Sequence, residues 1–239
     1  MKKIIALLIV TMGFVGLTKA QQTQNVTSGV SRSYTANPDA GTTVDHYVWQ
    51  LVDASDVSVR DLSAETGATV NILWDLTVGE TYQLRSQVYD TEGCASEFVY
   101  VDVTIAGEAS VMFADLLAND NQRTCSLIAG DSPADTFFDV VFAGGVAPYE
   151  LTYTVTDKDG GITTQTQTFA TTTGTLSLAD FENTTTGNQI VTVTLISALT
   201  DDLAPATVST IDAAMIIGKN NIRTLTIYPK PVITNLSLN

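Results

Sequence analysis

The chain has 239 residues with 26 Asp and Glu against 11 Lys and Arg, so its surface repels nucleic acid and anionic lipid. One His and two Cys supply too few nitrogen and sulfur ligands for most zinc sites, which take three or four. Threonine is abundant and β-branched residues dominate the periodic runs, a composition that favours strands over helices.

Lys2 and Lys3, an apolar run from Ile4 to Leu17 and the ending Thr18-Lys19-Ala20 have the order of a secretory signal peptide, residues 1–20, with cleavage expected before Gln21. The apolar run is short of the ~20 residues that a bilayer span needs, so no membrane span is expected. The expected product is exported, to the cell surface, the periplasm or the extracellular space. Removal of this segment leaves eight basic against 26 acidic residues, a balance of −18.

Residues 21–30 read first as a flexible polar leader, in which Val26 and Val30 could begin an edge strand. Strands are expected at 31–36 and 44–53, with the turn residues Asn37 to Gly41 between them. In the second of these, Tyr47, Trp49 and Leu51 share one face, and Trp49 is the expected core anchor because its ring brings the largest buried area. Further strands are expected at 57–62 and 69–74. A hairpin follows over 78–105, turning at Asp90-Thr91-Glu92-Gly93. Tyr82, a second expected anchor, lies with Leu84 and Val88 on one face of its first arm, and Val99, Val101, Val103 and Ile105 line its second arm. Two such arms cannot stand alone in water; a second layer must cover them. Residues 21–106 therefore read as one β-sandwich.

Residues 107–124 read as a crossing in which a new strand begins at 111–113. A second series of strands follows at 125–128, 136–142, 150–156, 162–169, 175–178 and 189–196, separated by turn residues, with a last strand at 222–228 before an extended Pro-containing tail. Within it Gly144 and Gly145 free the backbone, Pro148 fixes φ, and Tyr149 enters a strand as a third core anchor. Only 177–182 and 210–216 approach a helical period, and both are short. The fold class is all-β: two tandem sandwiches, 21–106 and 125–239.

The succession YVWQLVD, then NILWDLTVGETYQLRSQVYDTEGC, then a valine-alternating strand, resembles the PKD-like and immunoglobulin-like repeats of secreted Bacteroidota proteins. Trp49, Gly79 with Tyr82, and Asp90 with Gly93-Cys94 occupy the motif positions, although the WDFGDG signature of the archetypal PKD domain is missing. FAGGVAPYELTYTVTD resembles a second repeat of the same group of surface proteins, and Ile227 to Pro231 is similar to the start of a type IX sorting domain. The resemblance implies two immunoglobulin-like (PKD-like) sandwiches without enzymatic activity, serving cell-surface adhesion or a gliding-type surface assembly. Its partners would be other surface or secreted proteins, engaged through sheet faces or by strand addition.

Cys94 and Cys125, an even pair in an exported chain, are expected to form a disulfide that clamps the two domains. Asp157 and Asp159 in Asp157-Lys158-Asp159-Gly160-Gly161, and Asn119 with Asp120, are the nearest approach to a calcium site, but the loop lacks the bidentate Glu at its twelfth position and reads first as a hairpin turn. Calcium is otherwise not expected, nor any other cofactor. Trp74, Tyr89 and Tyr100, placed on the solvent side or at a strand end, read first as core or interface packing; as stacking platforms for sugar they make a carbohydrate-binding module the alternative function and a hydrolase accessory domain the third. No nucleophile elbow or phosphate loop is present, and no pair of carboxylates is singled out for hydrolysis.

Overall fold

A strand with one greasy face needs a second sheet against it, and the chain solves this twice with the same strand order. The computed structural model describes residues 22–114, 122–128, 130–133, 138–209 and 221–231. The signal segment, 210–216 and the final residues of the tail lie outside them. Among the described residues there are sixteen strands and no helix, and therefore no helix long and apolar enough to cross a membrane.

The first unit holds β1 (Gln22–Thr27), β2 (Ser31–Thr35), β3 (Val44–Val52), β4 (Ser58–Arg60), β5 (Thr69–Leu73), β6 (Thr81–Asp90) and β7 (Val99–Ala106). Five of them form a sheet in the order β1-β7-β6-β3-β4, and β2 pairs with β5 as the second layer. Tyr47, Trp49, Leu51, Tyr82, Leu84, Val103 and Ile105 from the large sheet pack on Val70, Ile72 and Trp74 from the small one. The alternation read for β3 and β6 is present, except that Ser86 rather than Val88 completes the fully buried face of β6. Val99 stays 43% exposed, because the second arm reaches past the edge of the core.

Two expectations for this unit are corrected. Residues 22–27 are a strand rather than a flexible leader: β1 lies parallel to β7 and Val26 is fully buried against it. Trp74 is no stacking platform for sugar: it is fully buried in the core, as its packing reading requires, with Tyr34 edge-on at 6.0 Å. The indole continues the inward face of Val70 and Ile72, one residue past the end of β5 at Leu73.

The second unit holds β8 (Ser110–Phe113), β9 (Gln122–Cys125), β10 (Asp139–Ala143), β11 (Tyr149–Thr156), β12 (Ile162–Phe169), β13 (Thr173–Thr175), β14 (Gln189–Leu199), β15 (Pro205–Val208) and β16 (Ile222–Tyr228). The series β9-β16-β14-β11-β12 repeats the strand order of the first unit's large sheet, including the parallel pairing at one edge. β8, β10 and β13 form the opposing layer, and β15 joins the layers by pairing with β14 and then with β8. Phe113, Phe142, Tyr153, Phe169, Phe181 and Leu225 fill the core between them. Because β8 pairs inside this sandwich, the crossing shrinks from 107–124 to the few residues before Ser110.

Candidate functional site

Each unit's termini fix which end meets the other. Thr27, at the end of β1, sits opposite Ala106 at the end of β7, so both strands finish at the same pole of the first sandwich. In the second sandwich Leu199 of β14 lies opposite Pro205 and Glu150, while Thr207 lies opposite Ser110, so these residues mark the pole next to the crossing. A built joint occupies that meeting point. The Thr27 amide donates to Asp202 Oδ2 at 2.5 Å and the Thr27 hydroxyl to Asp202 Oδ1 at 2.9 Å, with Asp202 only 4% exposed. The Thr200 hydroxyl donates to the same carboxylate. A buried carboxylate with these donors is held in place because losing any of them would leave charge unpaired in a dry site.

The Gly-Gly-x-Ala-Pro-Tyr segment forms the other half of the joint. Gly145 N–H donates to the Gly107 carbonyl at 2.7 Å, and the Tyr149 hydroxyl donates to the Gly144 carbonyl at 2.8 Å. A Cβ on Gly144 would stand 2.1 Å from the Glu108 carbonyl oxygen and one on Gly145 2.8 Å from Ala109 Cβ, at φ of +67° and +66°. The two glycines are there so that this loop can lie directly on the crossing. The Ala147–Pro148 bond is cis.

Asp202 arrives there on a turn that recurs four times among the described residues. Asp53, Asp90, Asp157 and Thr200 each donate their amide to the carbonyl four residues on (Val57, Cys94, Gly161, Ala204), with the residue three on (Asp56, Gly93, Gly160, Leu203) at positive φ. In the three Asp turns, Oδ1 accepts the amides two and four residues later. These are Asx-type turns closing hairpins. Asp157 is thus engaged in its own turn, and Asp159 is held by Lys158 at 3.0 Å and by Gln189 at 3.0 Å. That ion pair raises the Lys158 pKa. Asn119 and Asp120 lie outside the described residues. Among the described residues no three His, Cys, Asp or Glu gather as a metal set.

The expected disulfide is absent: Cys94 and Cys125 are both free and exposed. The topology explains why. Cys94 sits in the β6–β7 turn, the pole of the first sandwich away from Gly107, and Cys125 pairs opposite Tyr228 at the pole of the second sandwich away from the joint. Proximity in sequence hid this, because the chain runs the length of β7 and most of the second unit's height between them.

The outer faces of the two large sheets differ. On the first, His46 stacks on Tyr89 with centroids 4.7 Å apart, and Arg85 is a hub: Nε donates to Gln50 at 2.7 Å, a terminal nitrogen to Asp56 at 2.6 Å, and its guanidinium lies 5.1 Å from the Phe98 ring centre. Tyr100 beside it is 44% exposed. A shallow recess of about 290 Å³ lies at the joint-side end of this sheet, lined by Asp53, Asp56, Thr81, Gln83 and Asp102 among others. On the second sheet Thr152, Thr154 and Thr156 of β11, Thr164, Thr166 and Thr168 of β12, and Thr192 and Thr194 of β14 point outward in register, Thr164 beside Thr154 beside Thr194.

Of the residues singled out by sequence, Trp49, Tyr82 and Tyr149 lie in the cores, with the Trp49 indole donating to the Gly67 carbonyl at 2.9 Å. Tyr89 and Tyr100 lie on the first outer face, and Trp74 lies in the core. Burial pushes the Tyr34 hydroxyl up to about 12 and raises those of Tyr149 and Tyr153. Asp202 and Thr27 were not distinguished; Asp201-Asp202 carries the turn signal, but its reach to the other unit depends on β1 being a strand.

No family model matches the chain, and no curated protein matches it. Among solved structures it is similar to the fibronectin(III)-like modules of Clostridium thermocellum CbhA, at 15% identity over 89% of this chain and 92% of that one, TM-score 0.34. It is also similar to Rst D1-D2, at 11% identity over 88% and 96%, TM-score 0.34, and to the D00-D0 domain of Intimin, at 12% identity over 80% and 94%, TM-score 0.27. The paired five-strand order of its own sheets makes the chain a tandem of two immunoglobulin-like sandwiches.

Proposed function

We propose that the chain is an exported, non-enzymatic adhesion or structural module of a bacterial cell surface, of the kind its sequence resemblance to Bacteroidota repeats implies. The observation that carries this reading is the joint: a buried carboxylate and two sterically required glycines tie the sandwiches together at their facing poles. Such a joint suits a protein that must hold two surfaces at fixed separation and present them to partners. Domain pairs within one chain are otherwise expected to move. Partners are other surface or secreted proteins, met through the outer sheet faces. The test is surface labelling of intact cells followed by cross-linking: recovery of the chain at the surface in complex with a larger surface protein supports the reading, and an intracellular chain contradicts it.

The outer face of the first sheet favours a second reading, glycan binding, through exposed Tyr100 and the His46–Tyr89 stack. A glycan array with the Tyr100→Ala variant tests it. A sugar signal lost in that variant supports a lectin role. The Trp74→Ala variant cannot serve, since that ring lies in the core.

A further inference from the structure

β12 ends the large sheet of the second sandwich, and its only strand partner among the described residues is β11. It has eight residues, Ile-Thr-Thr-Gln-Thr-Gln-Thr-Phe, against six in β1 and three in β4 at the edges of the first large sheet. An exposed edge offers a row of unpaired N–H and C=O groups, and natural sheets guard such edges with Lys, Pro, bulges or brevity. β12 has none of these: it carries no charge and no Pro, and its pairing with β11 runs through eight residues without a shift.

We propose that β12 pairs antiparallel with β12 of a second copy, joining two large sheets edge to edge across a two-fold axis. Three observations choose a second copy as the occupant. Residues 164–168, Thr-Gln-Thr-Gln-Thr, read the same in reverse about Thr166, so Thr166 meets Thr166 and Thr164 meets Thr168 of the other copy on the outer face, and Gln165 meets Gln167 on the inner one. Cross-strand pairs of β-branched and hydrogen-bonding residues stabilise such ladders. Charge agrees as well: β12 itself carries no charged residue, so no carboxylates confront each other within the ladder although the chain carries a net charge of −15. Finally, a self-complementary patch is what a two-fold contact requires. Eight residues of edge bury less than the roughly 1,600 Å² of a standard interface, which sets the expected affinity in the micromolar range or weaker.

Sedimentation velocity on the chain lacking residues 1–20, from about 1 to several hundred micromolar, should show a concentration-dependent dimer. Thr164→Lys with Thr166→Lys sets like charges opposite each other and should weaken it about tenfold or more, with an unchanged melting temperature showing that the fold is intact. Mixing that variant with Thr164→Glu/Thr166→Glu should restore a mixed dimer. A wild-type chain that stays monomeric throughout, a Lys variant that dimerises as the wild type does, or an edge occupied instead by a different protein would each overturn the proposal.

Discussion

The two sandwiches share one strand order and reach it with different residues. The first anchors its core on two tryptophans, Trp49 and Trp74, and covers its five-strand sheet with only the two strands β2 and β5. The second has no tryptophan; it stacks Phe142 on Tyr149 at 4.4 Å and Phe142 against Phe169 at 5.5 Å, and builds its opposing layer from β8, β10 and β13. The thinner pair of layers is filled by two indoles with Tyr47 and Tyr82, and the broader one by the single rings of Phe113, Phe138, Phe142, Tyr149, Tyr153, Phe169 and Phe181. The same contrast appears outside, where the first sheet shows aromatic, amide and guanidinium groups and the second shows threonines. Shared topology therefore fixes the scaffold, and the outer residues are left to differ in function.

The largest way to break this contrast is to remove the fully buried ring of the thinner core. Trp74→Ala should cost the first sandwich about 3–5 kcal/mol, seen in calorimetry as an early transition for that unit while the second unit melts near its original temperature. Next comes the joint. Gly145→Ala puts a Cβ 2.5 Å from Thr200 Cγ2 at positive φ, and should cost about 1–3 kcal/mol while increasing the radius of gyration by small-angle scattering. Asp202→Ala leaves the Thr27 amide and hydroxyl without their acceptor and should cost about 1–3 kcal/mol, with the two thermal transitions moving further apart as the units lose their coupling.

A smaller effect concerns pH. Tyr34 is pushed up to about 12 by burial, and Tyr149 and Tyr153 are raised for the same reason. A raised folded-state pKa means that the unfolded chain ionises first, so this stability is whole below about pH 10 and is lost as pH climbs from 10 toward 12. Ultraviolet titration should find these tyrosines ionising after the exposed ones, and Tyr34→Phe should flatten the alkaline loss of stability in the first unit. Smallest of all, Tyr100→Ala should leave stability within about 0.5 kcal/mol by denaturant melts, because its ring already faces water; any effect belongs to partner binding.

Much of the scaffold was legible because period-two patterns are local. The limits of 162–169 and 222–228 coincide with β12 and β16, and Tyr47, Trp49 and Leu51 share their inward face as the alternation requires. β1 was missed because Gln22 to Asn25 carry no apolar alternation; parallel pairing with β7 and a single buried Val26 make it a strand. β15 was missed because it is only four residues long and begins with Pro205. Trp74 follows the same period-two rule, since it continues the buried face of Val70 and Ile72. The joint was legible in parts: the Gly-Gly-x-Ala-Pro-Tyr motif announced a special backbone, while the partner that makes it special, the crossing at Gly107 to Ala109, is a contact between units that no local pattern encodes.

The central claim is that the two units meet at one pole each and leave Cys94 and Cys125 at the other. β6 and β14 have 10 and 11 residues, which at about 3.3 Å per residue makes each unit roughly 30–35 Å tall. Spin labels on the two native cysteines, read by pulsed dipolar spectroscopy under conditions where the chain is monomeric, test this most directly. The account predicts a single distance of several tens of Å with both thiols free before labelling; a Cys94–Cys125 bond within one chain, or a distance below about 15 Å against the ~6 Å Cα separation of a disulfide, would contradict it.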